Sequence, residues 1–382
     1  MNNSLAINEE RLIREFIRLA EIPSPSFREG ALKDYLSERL KALGLEVEED
    51  ETGAKIGGDC GNLLARLPGD GKYPAVFFCA HMDTVEPAAG VEVVFQDGVF
   101  RSKGDTILGG DDKAGIAAIL EVLEMLRVVP VPHGPLEIIF TVGEEQGLLG
   151  SKNLDFSKVR AKFGYVLDSS GPPGTVIVAA PAQNKLDITV RGRAAHAGID
   201  PERGINAIQA AGQALAQLRL GRIDTETTAN IGVIEGGKAT NIVPDLVYIQ
   251  GEVRSIDRKK MEALTEEIAA VFNRVAADSG AKSEVKVNLL YPEFRLDPEL
   301  PLLKYAAAAA QNARLPVRFE ASGGGSDANI FNAAGIPAAN LSIGMQQVHT
   351  TEEHLDLRDL VADVRWLWEI IKATAAEREK SS

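Results

Sequence analysis

The chain has 382 residues, of which 45% are apolar and 25% are charged. This composition is close to average globular usage and excludes a disordered, collagen-like or coiled-coil chain. At roughly 150 residues per domain, the length favours two domains or one large domain with an insertion. The net charge is −14, from 41 basic and 55 acidic side chains. Because a nucleic acid needs a basic face and no Lys/Arg block is present, we expect no nucleic-acid partner.

The two cysteines indicate the compartment. Cys60 and Cys79 could form at most one disulfide, and Cys79 lies in an apolar run typical of a buried strand. This usage favours a reducing compartment, so we expect a cytoplasmic protein. Residues 1–18 mix charged residues with short apolar groups, and they predict neither a signal peptide nor a spanning helix. We therefore expect no membrane partner.

The elements predicted in chain order alternate between strands and helices. Apolar residues at helical spacing predict helices at 11–20, 29–43, 113–128, 302–313 and 360–377. Strands are predicted at 45–48, 62–67, 73–80, 136–142, 164–167 and 338–343. The continuous apolar run 75–80 is typical of a strand covered on both faces. The pattern predicts an α/β fold, with a mostly parallel sheet layered between helices and ligand sites beyond the carboxyl ends of its strands.

Residues 183–292 have a different pattern. Their elements follow the order β-α-β-β-α-β, that of a small α+β ferredoxin-like unit. The predicted strands are 185–191, 231–236, 246–253 and 281–289, and the predicted helices are 204–220 and 259–278. We interpret this segment as an inserted domain at 183–292, which interrupts a catalytic domain made of residues 1–182 and 293–382.

Polar residues cluster at the ends of the predicted sheet strands. They are His81, Asp83, Asp111, Glu144, Glu145, Asp168 and His349. Each alone has an ordinary alternative as a capped turn, a helix N-cap or a solvated loop residue. Together, at one edge of the sheet, they supply nitrogen and oxygen ligands suited to zinc, or to manganese or cobalt. Because one catalytic zinc uses about three protein ligands, the surplus predicts two metal ions.

The expected roles follow from the chemistry of such a pair. Two metal ions about 3.5–4 Å apart need a bridging carboxylate, and Asp111 is the natural bridge. Of the neighbours Glu144 and Glu145, one can bind metal while the other takes a proton from water. The spacing of His81 and Asp83 would let the carboxylate accept from the second ring nitrogen.

These residues resemble the motifs of the co-catalytic zinc exopeptidases, which include aminoacylases, glutamate carboxypeptidases, dipeptidases and tripeptidases. The similar segments are 79–85, 110–115, 143–145, Asp168 and His349, and 105–115 is most similar to the tripeptidase branch, peptidase T. The resemblance implies two zinc ions per chain. It implies that one is bound by His81, Asp111 and Asp168, and the other by Asp111, Glu145 and His349. It also implies that Glu144 is the general base, that Asp83 orients His81, and that the Asp111–Asp112 peptide bond is cis.

The inserted segment resembles the lid and dimerisation domain of the same family. Residues 193–198 are similar to the motif whose histidine, His196 here, holds the substrate carbonyl oxygen, although a surface histidine at a strand end is the alternative. Asn241 and Arg254 resemble further substrate-contacting positions. The resemblance also implies a homodimer formed through this domain.

One position departs from the tripeptidase pattern. Gly323 stands where peptidase T has an arginine that would bind the terminal carboxylate in a bidentate manner. The backbone amides of Gly323 and Gly324 could contact that carboxylate instead. We therefore predict a metal-dependent exopeptidase, an aminopeptidase or tripeptidase, that hydrolyses short peptides. The alternatives are a deacylase or amidase acting on N-acyl amino acids, and a non-catalytic metal- or peptide-binding protein.

Overall fold

The computed structural model describes residues 7–379. The chain divides into two compact units: unit 1 holds the described residues up to Val178, Leu296–Ala321 and those from Ser326 onward, and unit 2 holds Ala179–Arg295 and Ser322–Gly325. Gly323 and Gly324 thus group with unit 2, although the sequence analysis placed them in the catalytic domain. Gly325 explains this grouping, because its N–H donates to the Tyr291 hydroxyl at 3.2 Å and a Cβ there would lie 2.3 Å from the ring.

The first half of the chain contains the following elements: α1 (Glu9–Ala20), α2 (Gly30–Ala42), β1 (Glu46–Glu49), α3 (Thr52–Ile56), β2 (Leu63–Leu67), β3 (Val76–His81), β4 (Val93–Gln96), β5 (Val99–Ser102), α4 (Gly110–Val128), β6 (Leu136–Thr141), α5 (Leu149–Asn153), β7 (Phe163–Ser169), β8 (Thr175–Ala180) and β9 (Ala182–Arg191). The second half contains α6 (Ala207–Leu215), β10 (Gly221–Arg222), β11 (Thr227–Gly236), β12 (Leu246–Ser255), α7 (Arg258–Asp278), β13 (Lys282–Tyr291), β14 (Phe294–Arg295), α8 (Pro301–Asn312), β15 (Arg318–Ala321), α9 (Asp327–Ala333), β16 (Ala338–Ser342), β17 (Met345–Gln346), β18 (His354–Asp356) and α10 (Leu357–Glu379).

The main sheet of unit 1 runs in the order β1-β2-β6-β3-β7-β16-β8. Its four central strands, β6, β3, β7 and β16, are mutually parallel. The flanking pairs β1–β2, β2–β6 and β16–β8 are antiparallel. The predicted α/β fold is confirmed, and its parallel part is the centre of the sheet.

Strand β3 and helix α4 form the buried centre of unit 1. All six residues of β3 are buried, as its apolar run predicts, and so are residues 110–126 of α4. Helix α4 approaches β7 closely at Gly115, where a Cβ would lie 2.6 Å from the Leu167 backbone oxygen. This approach brings the start of α4 near the end of β7, where Asp168 lies.

A small antiparallel sheet, β17-β18-β5-β4, was not predicted from the sequence. Strands β4 and β5 are joined by Asp97 and Gly98, whose φ values are +53° and +80°. Both are left-handed, as the two-residue turns of hairpins require. The same sheet fixes the chain on either side of His349, which lies between β17 and β18.

Unit 2 is an antiparallel sheet, β10-β11-β12-β9-β13, packed with helices α6 and α7. Alternate residues of β9, such as Leu186 and Ile188, are buried in a core shared with both helices. The observed order is β-α-β-β-α-β with one extra short strand, β10. Helix α6 begins three residues later than predicted because Asn206 caps its first turn by accepting from the Gln209 N–H, and it ends at Leu215, five residues before the predicted end.

Within residues 7–379, no helix combines the length and the apolar character needed to cross a membrane.

Candidate metal centre

The first group of potential ligands forms around the end of β3. His81 is the last residue of that strand and is almost fully buried. Its Nε2 lies 3.1 Å from Asp111 Oδ1 and 3.6 Å from Asp168 Oδ1. Asp168 reaches this point from β7, where its backbone N–H donates to Asn340 Oδ1 on the adjacent strand β16. Three sequence-predicted ligands therefore meet at one edge of the sheet.

A second group forms on the other side of Asp111. His349 Nε2 lies 2.9 Å from Glu145 Oε1 and 3.2 Å from Asp111 Oδ2. His349 has a φ of +63°, and its side chain is half exposed, unlike that of His81. The second group therefore lies nearer to solvent than the first.

Asp111 belongs to both groups because its two carboxylate oxygens face different histidines. In each group the potential ligand atoms lie within 4.8 Å of one another. An ion with bonds of about 2.0–2.2 Å to nitrogen and oxygen fits such a set. The residues present thus suit two divalent ions that share one carboxylate. The peptide bond between Asp111 and Asp112 is cis, as the resemblance implied.

The charges of the site also favour cations. Burial alone would lower the pKa of His81, but its hydrogen bonds to Asp111, Asp168 and Asp83 raise it well above the usual value. Burial raises the pKa of Asp168 to about 7, against the effect of His81. Hydrogen bonds from His349 and His81 overcome burial at Asp111 and lower its pKa. These shifts show that the carboxyl groups of the site favour positively charged partners, a place that bound cations would take.

Glu144 and Asp83 lie beside the two groups. Glu144 is buried, and its burial, together with the charges of Asp168, Asp327 and Glu145, raises its pKa well above the usual value. A carboxylate with a raised pKa is a stronger proton acceptor, as a general base needs. The Asp83 carboxylate accepts from the backbone N–H groups of Glu144 at 2.8 Å and Glu145 at 3.2 Å.

The orientation of His81 differs in detail from the expectation. Its Nδ1 lies 2.8 Å from the backbone oxygen of Asp83, whereas Asp83 Oδ1 is 3.5 Å from the same nitrogen. The nearer acceptor is thus the main chain. The Asp83 carboxylate instead connects His81 to the loop of Glu144 and Glu145, a second function that the two-residue spacing alone did not indicate.

Glu353 is a buried residue that was not selected from the sequence. Its carboxylate accepts from the backbone N–H groups of Leu108, Gly109 and Asp111 at 2.9, 2.8 and 3.0 Å. Three such bonds fix the loop that carries Asp111, the residue common to both ligand groups. The one signal in the sequence was the position of Glu353, four residues after His349.

Asp327 is a second buried carboxylate that the sequence analysis did not select. It accepts from Thr141 Oγ1 at 2.6 Å and from Ser151 Oγ at 2.5 Å. Thr141 ends β6 directly before the loop of Glu144, and Ser151 belongs to α5 directly after it. Asp327 therefore anchors both ends of that loop. An acidic residue at a helix start gives no sequence signal of such a role.

The remaining predicted residues lie in unit 2. His196 is exposed, and its Nδ1 accepts from the Gly198 N–H at 3.2 Å, so the neutral ring carries its proton on Nε2. The backbone oxygen of Asn241 accepts from Ala197, which places Asn241 beside the His196 segment. Arg254 lies elsewhere in the unit, where it donates to Glu252 through Nε and Nη2, while its Nη1 would be 3.8 Å from a Cβ on Gly324. The structure thus pairs His196 with Asn241 and Arg254 with the glycine segment 323–324.

Comparison with known proteins gives three matches to family models. A peptidase dimerisation domain matches residues 183–279, peptidase family M28 matches residues 62–212, and M42 glutamyl aminopeptidase matches residues 296–365. The first of these lies within unit 2.

Full-length relatives cover nearly the whole chain. The uncharacterized protein YqjE of Bacillus subtilis (strain 168) is 43% identical, over 97% of this chain and 100% of its own. The crystal structure of aminopeptidase PepT from Bacillus cereus is 42% identical, with a TM-score of 0.89 over 97% of this chain and 99% of that one. A tripeptidase structure from Staphylococcus aureus is 39% identical, with a TM-score of 0.94 over 97% and 100% of the two chains.

Proposed function

The chain belongs to the M20 family of zinc exopeptidases, and we propose that within it the protein is a dinuclear-zinc aminopeptidase or tripeptidase of short peptides. That it is a metal-dependent peptidase follows from its peptidase T and tripeptidase relatives. The metal identity, the number of ions, the residue roles and the preferred peptide are the parts that we propose.

The observation that carries the proposal is the position of Asp111 between two histidines. Its Oδ1 lies 3.1 Å from His81 Nε2, and its Oδ2 lies 3.2 Å from His349 Nε2. Asp168 completes one ligand group, and Glu145 completes the other. Two ions held there would acidify a water molecule and withdraw electrons from a substrate carbonyl group.

The chain's own residues perform the proton transfers. Glu144 accepts a proton from the attacking water and delivers it to the leaving amine nitrogen. Asp83 holds Glu144 and Glu145 in place through their backbone N–H groups. His196 donates from Nε2 to the substrate carbonyl oxygen, where negative charge develops in the transition state.

The ends of the peptide need separate recognition. Arg254 is held by Glu252, and its Nη1 lies near Gly324. This position supports a role for Arg254 in binding the carboxyl-terminal carboxylate of the peptide. The amides of Gly323 and Gly324 and the side chain of Asn241 are the further substrate contacts that we propose. An N-acyl amino acid also carries a carboxylate, and it is therefore the substrate class against which a peptide must be compared.

We also propose a homodimer formed through unit 2, in a reducing compartment such as the cytoplasm. Unit 2 exposes large apolar side chains within the segment that matches the dimerisation domain: Ile199, Ile208, Val233, Ile234, Ile242 and Leu246. Exposed apolar residues of this number support a protein partner. Cys60 and Cys79 are buried free thiols, as a reducing compartment would maintain.

A substrate panel tests the proposed activity. The zinc-loaded protein is incubated with tripeptides, dipeptides, N-acyl amino acids, and tripeptides blocked at either end, and the products are identified by mass spectrometry. We expect release of the amino-terminal residue from free tripeptides and a loss of cleavage when the amino terminus is blocked. Preferential cleavage of N-acyl amino acids would instead make the protein a deacylase.

A further inference from the structure

A third group of potential metal ligands lies outside the centre described above. Glu29, Asp59 and Cys60 each offer a donor atom within 4.8 Å of the others. Glu29 and Cys60 are buried, whereas Asp59 is exposed and opens the group to solvent. The segment that carries Glu29 and the segment that carries Asp59 and Cys60 are held together by a hydrogen bond from the Asp59 N–H to the Phe27 backbone oxygen at 3.2 Å.

Among residues 7–379, only one of the two Glu29 carboxylate oxygens has a hydrogen-bond partner. Its side chain is fully buried, and its Oε1 accepts from the Gly143 N–H at 2.9 Å. Across residues 7–379, nothing satisfies its Oε2 by hydrogen bonding. A buried carboxylate oxygen without a partner is costly and needs an explanation such as an ion.

The surrounding charges and donor types define the ion. Three acidic residues, Glu29, Asp59 and Glu49, place negative charge around Cys60, and Lys33 opposes them. Burial, followed by the charges of Glu29 and Asp59, raises the pKa of the Cys60 thiol. One sulfur and two carboxylate donors suit a borderline or soft divalent cation better than calcium or magnesium.

We propose that Glu29, Asp59 and Cys60 form a separate third metal site for a thiophilic divalent cation such as zinc or cadmium. Binding forms a metal–sulfur bond at Cys60 and releases the thiol proton to solvent. Two carboxylates supply the other protein ligands, and the open side near Asp59 leaves room for water. The ion would lie one hydrogen bond from the loop of Glu144, because Glu29 also binds the Gly143 N–H.

Cadmium titration tests the site through its sulfur ligand. The dinuclear centre offers only nitrogen and oxygen donors, so a thiolate-to-cadmium charge-transfer band in the ultraviolet cannot come from it. We expect the zinc-loaded protein to bind one further cadmium ion per chain and to develop this band. Glu29→Gln should weaken the additional binding by more than about tenfold.

Matched variants complete the test. Cys60→Ser should lose both the band and the further equivalent, although Cys79 remains as a second thiol. Asp34→Asn, an exposed neighbour on α2 outside the group, should keep both. The proposal is overturned if the unaltered protein shows no band, or if the band persists in Cys60→Ser.

Discussion

Glu353 Oε1 lies 3.0 Å from the backbone nitrogen of Asp111, although 242 positions separate the two residues. The carboxylate of Glu353 holds the backbone of Asp111, and the carboxylate of Asp111 in turn faces both histidines of the centre. Glu353, which belongs to neither ligand group, thus determines where the carboxylate of Asp111 lies. Positioning partners of this kind commonly change metal affinity by 10–100-fold.

We predict that Glu353→Ala weakens zinc binding by about 10–100-fold, because three backbone N–H groups lose their acceptor. Glu353→Gln keeps a single acceptor oxygen, so its zinc affinity should lie between those of Glu353→Ala and the unaltered protein. The affinity is measured by competition with a zinc chelator, which reports on the site independently of turnover. Glu352→Ala removes the exposed neighbour and serves as the control. Equal affinities of Glu353→Ala and Glu352→Ala would refute the role of Glu353.

Glu144→Gln should lower kcat by roughly 10²–10⁴-fold, because an amide cannot accept the proton of the attacking water. The zinc content and the fold should be unchanged, since Glu144 belongs to neither ligand group. Glu145→Gln is the contrasting variant and should lose metal as well as activity. Elemental analysis and steady-state kinetics on the same samples distinguish the two. A Glu144→Gln enzyme with most of its activity would exclude this residue as the base.

His196→Ala should reduce turnover by about a hundredfold while leaving metal content unchanged, because it removes one donor to the developing oxyanion. His133→Ala is a suitable control, since His133 lies in a loop and binds the adjacent Gly134 oxygen. Tripeptide hydrolysis is measured for both variants. If His196→Ala hydrolyses tripeptides at the rate of the unaltered protein, His196 is a surface residue without a role in catalysis.

Asp363 should make the stability of the protein fall as pH rises. It is buried in α10, and among the described residues neither of its oxygens has a hydrogen-bond partner. Burial, with the charge of Asp359, raises its pKa well above the usual value. Above pH about 4 the unfolded chain releases this proton while the native chain retains it, so the free energy of unfolding decreases with pH.

The Asp363→Asn variant has no such titration. Its stability relative to the unaltered protein should therefore increase from pH 5 to pH 8, by at most about 1.4 kcal/mol per pH unit. Urea unfolding at the two pH values measures the difference. Asp278→Asn, the same change at an exposed position of α7, should show no such increase. A pH-independent difference for Asp363→Asn would contradict the assignment.

The sequence predicted the residues near the metal centre better than the contacts that hold them. His81, Asp111, Glu145, Asp168 and His349 meet as expected, since the strand ends that carry them share one edge. Glu353 and Asp327 were missed, because they bind backbone or hydroxyl groups more than 170 positions away. Local patterns carry no information on such bonds.

The same contrast between local patterns and distant contacts applies to the prediction of the fold. The apolar run of β3 and the β-α-β-β-α-β order of unit 2 were read from periodicity, which reports burial directly. The antiparallel flanks of the main sheet were not predicted, because a strand covered on both faces looks alike in either direction. The hairpin β4–β5 was missed although Asp97-Gly98 is a characteristic turn pair.

We propose a peptidase whose activity depends on two metal ions sharing Asp111. It is tested most directly by elemental analysis of the purified protein, combined with tripeptide hydrolysis before and after treatment with a chelator. We predict about two zinc ions per chain and hydrolysis that stops on chelation and returns when zinc is restored. Undiminished tripeptide cleavage by a chain free of metal would contradict it.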